Sequence, residues 1–400
     1  MLSPAELRER LALHSVSGRF DLFLGIGGGL TLLGLILFVI TLGGDQADLA
    51  WQMFHVNWLF FTGLAIGSGA LVASHKIAKA KWSGLIIRFA EAALAFLPLS
   101  LIGLVLIFTV GYEHLYGHMQ HELHGLQHSK AVWLSRPFMF ARLFIGLSLL
   151  SWVGWRMVRA DLTPDIAAAR SAAKGAARER YERWSRGYDG SPVALGRVEE
   201  RIARIAPLYG VLYALVGTII AFDMIMALQP HWFSNLLGGF YFMASFLGAH
   251  MLLALMTIFG SRHLGVTDLV SPKQRHDLGK LCFGFTVFWA YLMWAQFLVI
   301  WYGNLPEETG FVFARLYGPW LPVGRAVLLG LFVIPFIGLL GVAPKKAPAT
   351  LGLFAVISLV ALWLERYLLV MPSVSHEGAP HLGVPELGPT LLMAGLFLLA

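Results

Sequence analysis

Long apolar stretches alternate with polar segments along this chain of 400 residues. Each stretch is near the length of about 20 residues that a helix needs to cross a bilayer, and nine lie at 21–44, 52–75, 86–112, 137–158, 207–228, 237–260, 279–301, 320–343 and 348–371. A tenth begins near Leu387 and has 14 residues up to Ala400. The stretches are long and do not alternate residue by residue, which favours helices over barrel strands. The pattern predicts an all-α integral membrane protein with ten transmembrane helices.

The basic residues predict the orientation of these helices. Of the 30 Lys and Arg residues, 24 lie in or beside the amino-terminal segment and the loops after helices two, four, six and eight. Cytoplasmic loops collect basic residues, so both termini are predicted to be cytoplasmic. Contact with anionic lipid headgroups then accounts for the net charge of +7, and we expect no nucleic-acid partner. Six basic residues depart from the pattern: Lys130, Arg136, Arg142, Arg315, Arg325 and Arg366.

The composition limits the chemistry that the chain can carry alone. With 57% hydrophobic and 13% charged residues, it has too little polar surface to cover a soluble globule of this size. Its one cysteine, Cys282, excludes an intrachain disulfide, a CxxCH haem attachment and a four-thiolate iron–sulfur site. We therefore expect no cofactor bound by this chain alone. The first apolar stretch lacks a cleavage site and follows a polar segment, which predicts a retained helix.

Asp223 is one of three ionisable residues, with Glu91 and His250, that lie inside apolar stretches, where a charge costs about 3 kcal/mol on the mildest scale. It is predicted about 8 Å below the outer membrane boundary. Tyr209 and Tyr213 lie on the same helix face, which is typical of a proton relay. The alternative is a carboxylate that bonds a neighbouring helix and only holds the bundle together.

Glu91 is predicted about 8 Å inside the cytoplasmic boundary, with Arg88 three residues earlier on the same face. The pair is either a salt bridge or a proton entry in which the arginine sets the proton affinity of the carboxylate.

His250 is predicted about 20 Å deep, where a lone histidine is more often a packing residue than a bridge in a proton path. The levels of Glu91 and Asp223 differ by about 15 Å in a hydrocarbon core of about 30 Å, which favours two half-channels over one continuous path.

Two further patterns have weaker links to function. Five histidines, which could share one face of a helix and bind a divalent metal, lie in the outer segment after helix three: His114, His118, His121, His124 and His128. Their HELH sequence is one residue short of the H-E-x-x-H zinc motif, so we expect a headgroup or partner contact and no metal.

His55 on helix two and Trp289 on helix seven lie in polar–aromatic stripes that, with Asp223, could hold a quinone ring. Aromatic belts at membrane interfaces have the same composition.

Two motifs go beyond this general class. The segments AFDMIMALQPHWFSNLLGGFYF (221–242) and WYGNLPEETGF (301–311), with RFAE in helix three, resemble the ActF family of membrane subunits of alternative complex III, within the NrfD/PsrC-like group. The resemblance implies two four-helix bundles, formed by helices two to five and six to nine, with a flanking helix at each end. The expected divisions are an amino-terminal cytoplasmic segment at 1–20, helix one at 21–51, a first bundle at 52–228 with a basic loop at 159–204, a second bundle at 229–371, and an outer loop with the start of helix ten at 372–400.

The resemblance also implies a role in the bacterial cytoplasmic (inner) membrane. Complexes of this type oxidise menaquinol or another quinol and pass electrons through iron–sulfur and c-type haem subunits to a periplasmic acceptor. An ActC-like sister subunit is thought to hold the quinol site, whereas ActF carries no redox centre and is proposed to conduct protons. The likeness supports Asp223 and Glu91 as proton-handling residues. The alternatives are a quinol-binding subunit that uses His55, Asp223 or Trp289, and an independent secondary transporter whose bundles move around a central site.

Overall fold

The computed structural model describes residues 21–123, 127–171, 173–375, 378–380 and 383–400. Within these ranges every regular element is a helix, and nine helices are long and apolar enough to span a membrane. The chain is therefore a multi-pass membrane protein. The nine, with the shorter apolar helix that follows them, are α1 (Asp21–Leu42), α2 (Ala47–Ile77), α3 (Gly84–Thr109), α4 (Arg136–Ala169), α5 (Pro192–Leu228), α6 (Leu237–His263), α7 (Pro272–Gly303), α8 (Gly318–Gly338), α9 (Pro348–Val374) and α10 (Val384–Leu399).

Several helices continue beyond the apolar stretches that predicted them. Much of the predicted loop at 159–204 is helical, because α4 continues to Ala169, a short helix covers Gly175–Trp184, and α5 already begins at Pro192. This region is rich in Ala and Arg, which favour helices in water as well as in lipid. The predicted first element at 21–51 is likewise two elements, since α1 ends at Leu42 and α2 begins at Ala47.

Helix α2 lies at the centre of the protein. Its most apolar segment, of 18 residues, is completely buried, and the helix packs against α3, α5, α6, α9 and α10. Close approach to α6 requires small residues: a Cβ added at Gly67 would lie 2.6 Å from the backbone oxygen of Ser245. Helices in lipid commonly pack through such small residues.

The remaining helices surround α2. Helix α4 packs on α3 and α5, while α6 packs on α7 and α9, and α8 packs on the same two helices. Helices α1 and α10 pack side by side, and a Cβ at Gly34 would lie 2.2 Å from the backbone nitrogen of Leu392. The outward residues Leu32 and Ile40 of α1 are 61% and 64% exposed, as expected for a surface that meets lipid.

Two contacts define one end of the protein, which we call the Asp223 end. Near the start of α2, the Gln52 amide donates to the Val374 carbonyl at the end of α9 (3.1 Å), and His55 bonds the Met224 carbonyl in α5 (2.6 Å). The opposite end, which we call the Arg88 end, contains the end of α2 and the start of α3. The α-helical hydrogen bonding of α3 is interrupted there by a 3₁₀ segment at Ala93–Phe96, directly before the helix that contains Pro98. Proline has no N–H to continue the regular pattern.

Candidate functional site

The first candidate site is a cluster of five charged side chains at the Arg88 end, contributed by α2, α3 and α4. The Arg88 guanidinium donates to both oxygens of Glu91 (2.9 and 2.7 Å), to Asp161 (2.5 Å) and to Asp165 (2.7 Å). The Lys76 ammonium lies 2.6 Å from Asp161. We call these residues the Arg88 cluster. The predicted contact between Arg88 and Glu91 is present, and three further charged groups join it.

The Arg88 cluster brings three carboxyl groups to one guanidinium. Its side chains range from Glu91, which is 2% exposed, to Asp165, which is 39% exposed, so the cluster connects a buried carboxyl group with the surface. The carboxyl groups of Glu91 and Asp161 both accept from Nη1 of Arg88. Two carboxyl groups that share one site favour protonation of one of them, because like charges repel. The cluster therefore has the contacts of a site that takes up and releases one proton.

A cavity of about 540 Å³ adjoins the Arg88 cluster. Arg88 and Glu91 form part of its wall, together with Leu94 and Pro98 of α3 and Trp155 of α4. Leu94 and Ala95 of the 3₁₀ segment line this cavity, so the interruption of α3 lies where the cavity approaches Glu91. A cavity of this size beside a charged cluster is large enough for water.

The second candidate site is the ion pair of Asp223 and Arg142 at the Asp223 end. The guanidinium binds both carboxylate oxygens at 2.6 Å, and a third N–H donates to the Trp133 carbonyl (2.7 Å). Asp223 is fully buried and the Arg142 side chain is 11% exposed. Arg142 also lies over the Trp133 ring at 4.0 Å. This bidentate geometry is strong and specific, and it balances the two charges one to one.

Two side chains bond the last backbone carbonyls of the α-helical part of α5. The Tyr116 hydroxyl donates to the Asp223 carbonyl (2.9 Å), and His55 Nε2 lies 2.6 Å from the Met224 carbonyl. Burial raises the pKa of the Tyr116 phenol well above its ordinary value, so the hydroxyl keeps its proton and remains a donor. Because a carbonyl oxygen only accepts, His55 Nε2 carries the hydrogen. Both groups act as caps that satisfy a buried helix end.

The predicted tyrosine relay below Asp223 is not connected by hydrogen bonds in the described structure. Tyr209 donates to the Ile66 carbonyl of α2 (3.1 Å), and Tyr213 donates to the Phe242 carbonyl of α6. Neither phenol bonds Asp223 there. Sequence periodicity placed both tyrosines correctly on an inward face, but it could not reveal that backbone carbonyls of neighbouring helices use their hydroxyl groups.

Helix α4 connects the two candidate sites. It supplies Arg142 to one and Asp161 to the other, and these residues are 19 positions apart. The rise along a helix of that length is about 28 Å, so direct proton transfer between the two sites is excluded by distance.

His250 is a packing residue in the geometry that the structure describes. Its Nδ1 bonds the Phe246 carbonyl of its own helix (2.8 Å), and its ring lies 4.7 Å from the rings of both Phe246 and Phe285. The side chain is 1% exposed. These contacts match the packing interpretation of the sequence.

Trp289 belongs to a third set of polar side chains, between α6, α7 and α9. Its indole N–H donates to Glu365 (3.1 Å), whose other oxygen lies 2.7 Å from Arg366. Arg366 also donates to the Tyr241 carbonyl and to Ser245. Trp289 and Glu365 line a cavity to which His55 does not contribute. The three residues predicted for a quinone ring therefore do not form one pocket.

The histidine segment has no metal-binding geometry in the part that the structure describes. His114 bonds Asp48 (2.5 Å), and His128 is exposed. The side chains of His118 and His121, and the whole of His124, lie outside the described residues. No group of three potential metal ligands occurs among the described side chains.

The sequence interpretation missed Arg142, the partner of Asp223, although the sequence contained a signal for it. Arg142 is among the six basic residues that depart from the alternating distribution. Others of these six have buried partners as well: Arg136 donates to the Phe108 carbonyl, and Arg366 bonds α6. At Arg136, Arg142 and Arg366 a basic residue outside the alternating pattern therefore has a specific partner. The residues Lys76, Asp161, Asp165 and Tyr116 gave no comparable signal.

Comparison with known proteins does not identify the chain. No family model matches it, and no curated protein is significantly similar to it.

Proposed function

We propose that this chain is a proton-conducting membrane subunit of a quinol-oxidising complex of the alternative complex III type. The observation that carries the proposal is the Arg88 cluster, in which the buried carboxyl group of Glu91 connects with the surface through Arg88 and Asp165. The ion pair of Asp223 and Arg142 lies near the opposite end of the same group of helices. Intramembrane carboxylates of this kind are typical of proton pathways.

In this proposal the Arg88 end faces the cytoplasm and the Asp223 end faces the periplasm of a bacterial inner membrane. Protons enter at Asp165 and Glu91 and leave past Asp223. The distance between the two sites requires two half-channels, and access between them changes when quinol is oxidised elsewhere in the complex. Arg142 must then release Asp223 for a proton to pass. Separation of Arg142 from Asp223 is therefore the conformational change that we expect.

The redox groups belong to other subunits. The single cysteine of this chain is buried in α7, so the residues present fit neither a covalent c-type haem nor an iron–sulfur cluster. The proposed partners are an ActC-like subunit, an iron–sulfur subunit and c-type haem subunits, with a periplasmic protein as electron acceptor. His55 and Asp223 already cap or pair with other groups, which argues against a quinol headgroup at these two residues.

Purification from native membranes tests the assignment to a complex. A tagged chain should bring c-type haem absorbance and quinol oxidase activity with it. Isolation of the chain alone, without haem absorbance, would refute the assignment and favour a transporter.

Reconstitution of the complex in liposomes tests the proton pathway. Glu91→Gln should leave quinol oxidation in detergent intact and lower the number of protons moved per electron. Glu200→Gln, in an exposed ion pair with Arg204, is the control and should change neither quantity. An unchanged proton-to-electron ratio in Glu91→Gln would refute the pathway, even if the chain belongs to the complex.

A further inference from the structure

A second cavity, of about 820 Å³, lies among α6, α7, α8 and α9 and the short helix Pro306–Leu316. Most of its wall is apolar, as with Leu237, Phe240 and Leu368, and aromatic side chains such as Trp294, which is 54% exposed, form its rim on the outer surface of the helices. Because exposed apolar surface of this kind meets lipid in a membrane protein, the cavity opens toward the bilayer.

Arg315 contributes a buried positive charge to this cavity. Its side chain lies over the Phe311 ring and donates to the carbonyls of Phe311 (2.9 Å) and Leu369 (2.7 Å) and to the Ser373 hydroxyl (2.6 Å). These three bonds use three of the five N–H groups of a guanidinium. The residue is 4% exposed, its Nε has no partner, and no carboxylate of the described chain contacts it. A buried arginine without a counter-charge is costly.

The other charged groups of the cavity do not neutralise the positive charge of Arg315. Arg325 of α8 lines the cavity and pairs with no carboxylate among the described residues. Glu365 is the one acidic group of the wall in that part of the chain, and it already has Arg366 at 2.7 Å and Trp289 at 3.1 Å. The wall therefore combines a positive region with a long apolar surface.

We propose that this cavity binds one acidic phospholipid, with its phosphate at Arg315 and Arg325 and an acyl chain along the apolar wall. A guanidinium matches the geometry of a phosphate and can bind two of its oxygens. Arg315 bonds α9 near its end at Val374, so the lipid belongs to the leaflet at the Asp223 end. A neutral quinol would leave both arginine charges unmatched. This inference does not depend on the proposed function.

Native mass spectrometry tests the proposal. The purified protein, or its complex, is equilibrated in nanodiscs that contain equal amounts of phosphatidylglycerol and phosphatidylcholine, and the lipid that remains bound on release is identified. We expect one phosphatidylglycerol in the unmodified protein. Arg325→Gln should weaken its retention by about tenfold or more, the effect of one charge-assisted hydrogen bond. Arg156→Gln, an exposed arginine of α4, is the matched control and should retain the lipid.

A second variant separates lipid binding from folding. Arg315→Gln also removes bonds to α9, so its effect combines both roles. Ala290→Trp fills the cavity from α7 and leaves both arginines unchanged. It should abolish retention of phosphatidylglycerol without lowering the unfolding temperature. The proposal would be overturned if both variants, Arg325→Gln and Ala290→Trp, retained phosphatidylglycerol as well as the unmodified protein does. It would also be overturned if the protein showed no preference over phosphatidylcholine or bound a quinone in place of the phospholipid.

Discussion

The contacts of the Arg88 cluster predict that Arg88 and Glu91 respond differently to neutralisation. Glu91→Gln leaves Asp161 and Asp165 bonded to Arg88. Arg88→Gln instead removes the guanidinium that bonds all three carboxyl groups. Glu91→Gln keeps the side-chain length, whereas Arg88→Gln shortens the side chain and removes its guanidinium. We therefore expect Arg88→Gln to destabilise the protein more than Glu91→Gln does.

The contacts give the magnitudes. Arg88 bonds all three carboxylates, and loss of one partner from a buried ion pair costs about 3–5 kcal/mol. Its side chain is 27% exposed, so solvent screening places the expected cost near the lower limit, at about 3 kcal/mol. Glu91→Gln weakens charge-assisted bonds, each of which contributes about 1.5–3 kcal/mol, but an amide oxygen of the same size still accepts from Arg88. Its expected net cost is about 1 kcal/mol.

Steric trapping in bicelles measures the free energy of unfolding of a membrane protein directly. The exposed pair of Arg204 and Glu200, 77% and 62% exposed, provides matched controls. Arg204→Gln and Glu200→Gln should each change the free energy by no more than about 0.5 kcal/mol. If Arg88→Gln costs no more than Glu91→Gln, the guanidinium does not hold the three carboxyl groups together and the inference of a one-proton site is refuted.

Three further predictions concern the Asp223 end and the outer helices. Asp223→Asn should cost about 3–5 kcal/mol because Arg142 loses its only carboxylate in the described chain, and the double variant with Arg142→Gln should cost less than the sum of the single variants in the same assay. Tyr116→Phe should cost about 1–3 kcal/mol because a buried carbonyl loses its donor. Gly34→Ala should cost about 1–3 kcal/mol, since the new Cβ would meet the backbone of α10, whereas Gly28→Ala has open space.

Each of these predictions has an outcome that would contradict it. Additive costs in the Asp223 and Arg142 variants would mean that the ion pair does not couple them. A neutral Tyr116→Phe, compared with Tyr302→Phe at a tyrosine that is 82% exposed, would show that the cap is dispensable. Equal effects of the two glycine variants would mean that α1 and α10 are not in close contact.

Much of the fold follows from the sequence because one physical property dominates it. A helix must satisfy its backbone hydrogen bonds within the bilayer, so a long apolar stretch predicts a span with little ambiguity. The ends were less predictable: α2 begins at Ala47, five residues before its predicted start, and α7 begins at Pro272, seven before. Polar residues at a helix end are compatible with both helix and loop. Hydropathy alone cannot separate the two.

The candidate site was predictable only where its contacts are local. Arg88 and Glu91 are three residues apart, so helical geometry alone brings them together. Arg142 and Asp223 are 81 positions apart, and their contact depends on how α4 packs against α5. Periodicity gives the face on which a residue lies, but it does not give the neighbour that this face meets.

Helix α4 carries a charged residue of each site at fixed spacing across the membrane. A shift or rotation of α4 would therefore change the ion pair of Arg142 with Asp223 and the contacts of Asp161 with Arg88 in the same movement. A conformational change at one site can in this way be transmitted over about 28 Å to the other without a continuous chain of water.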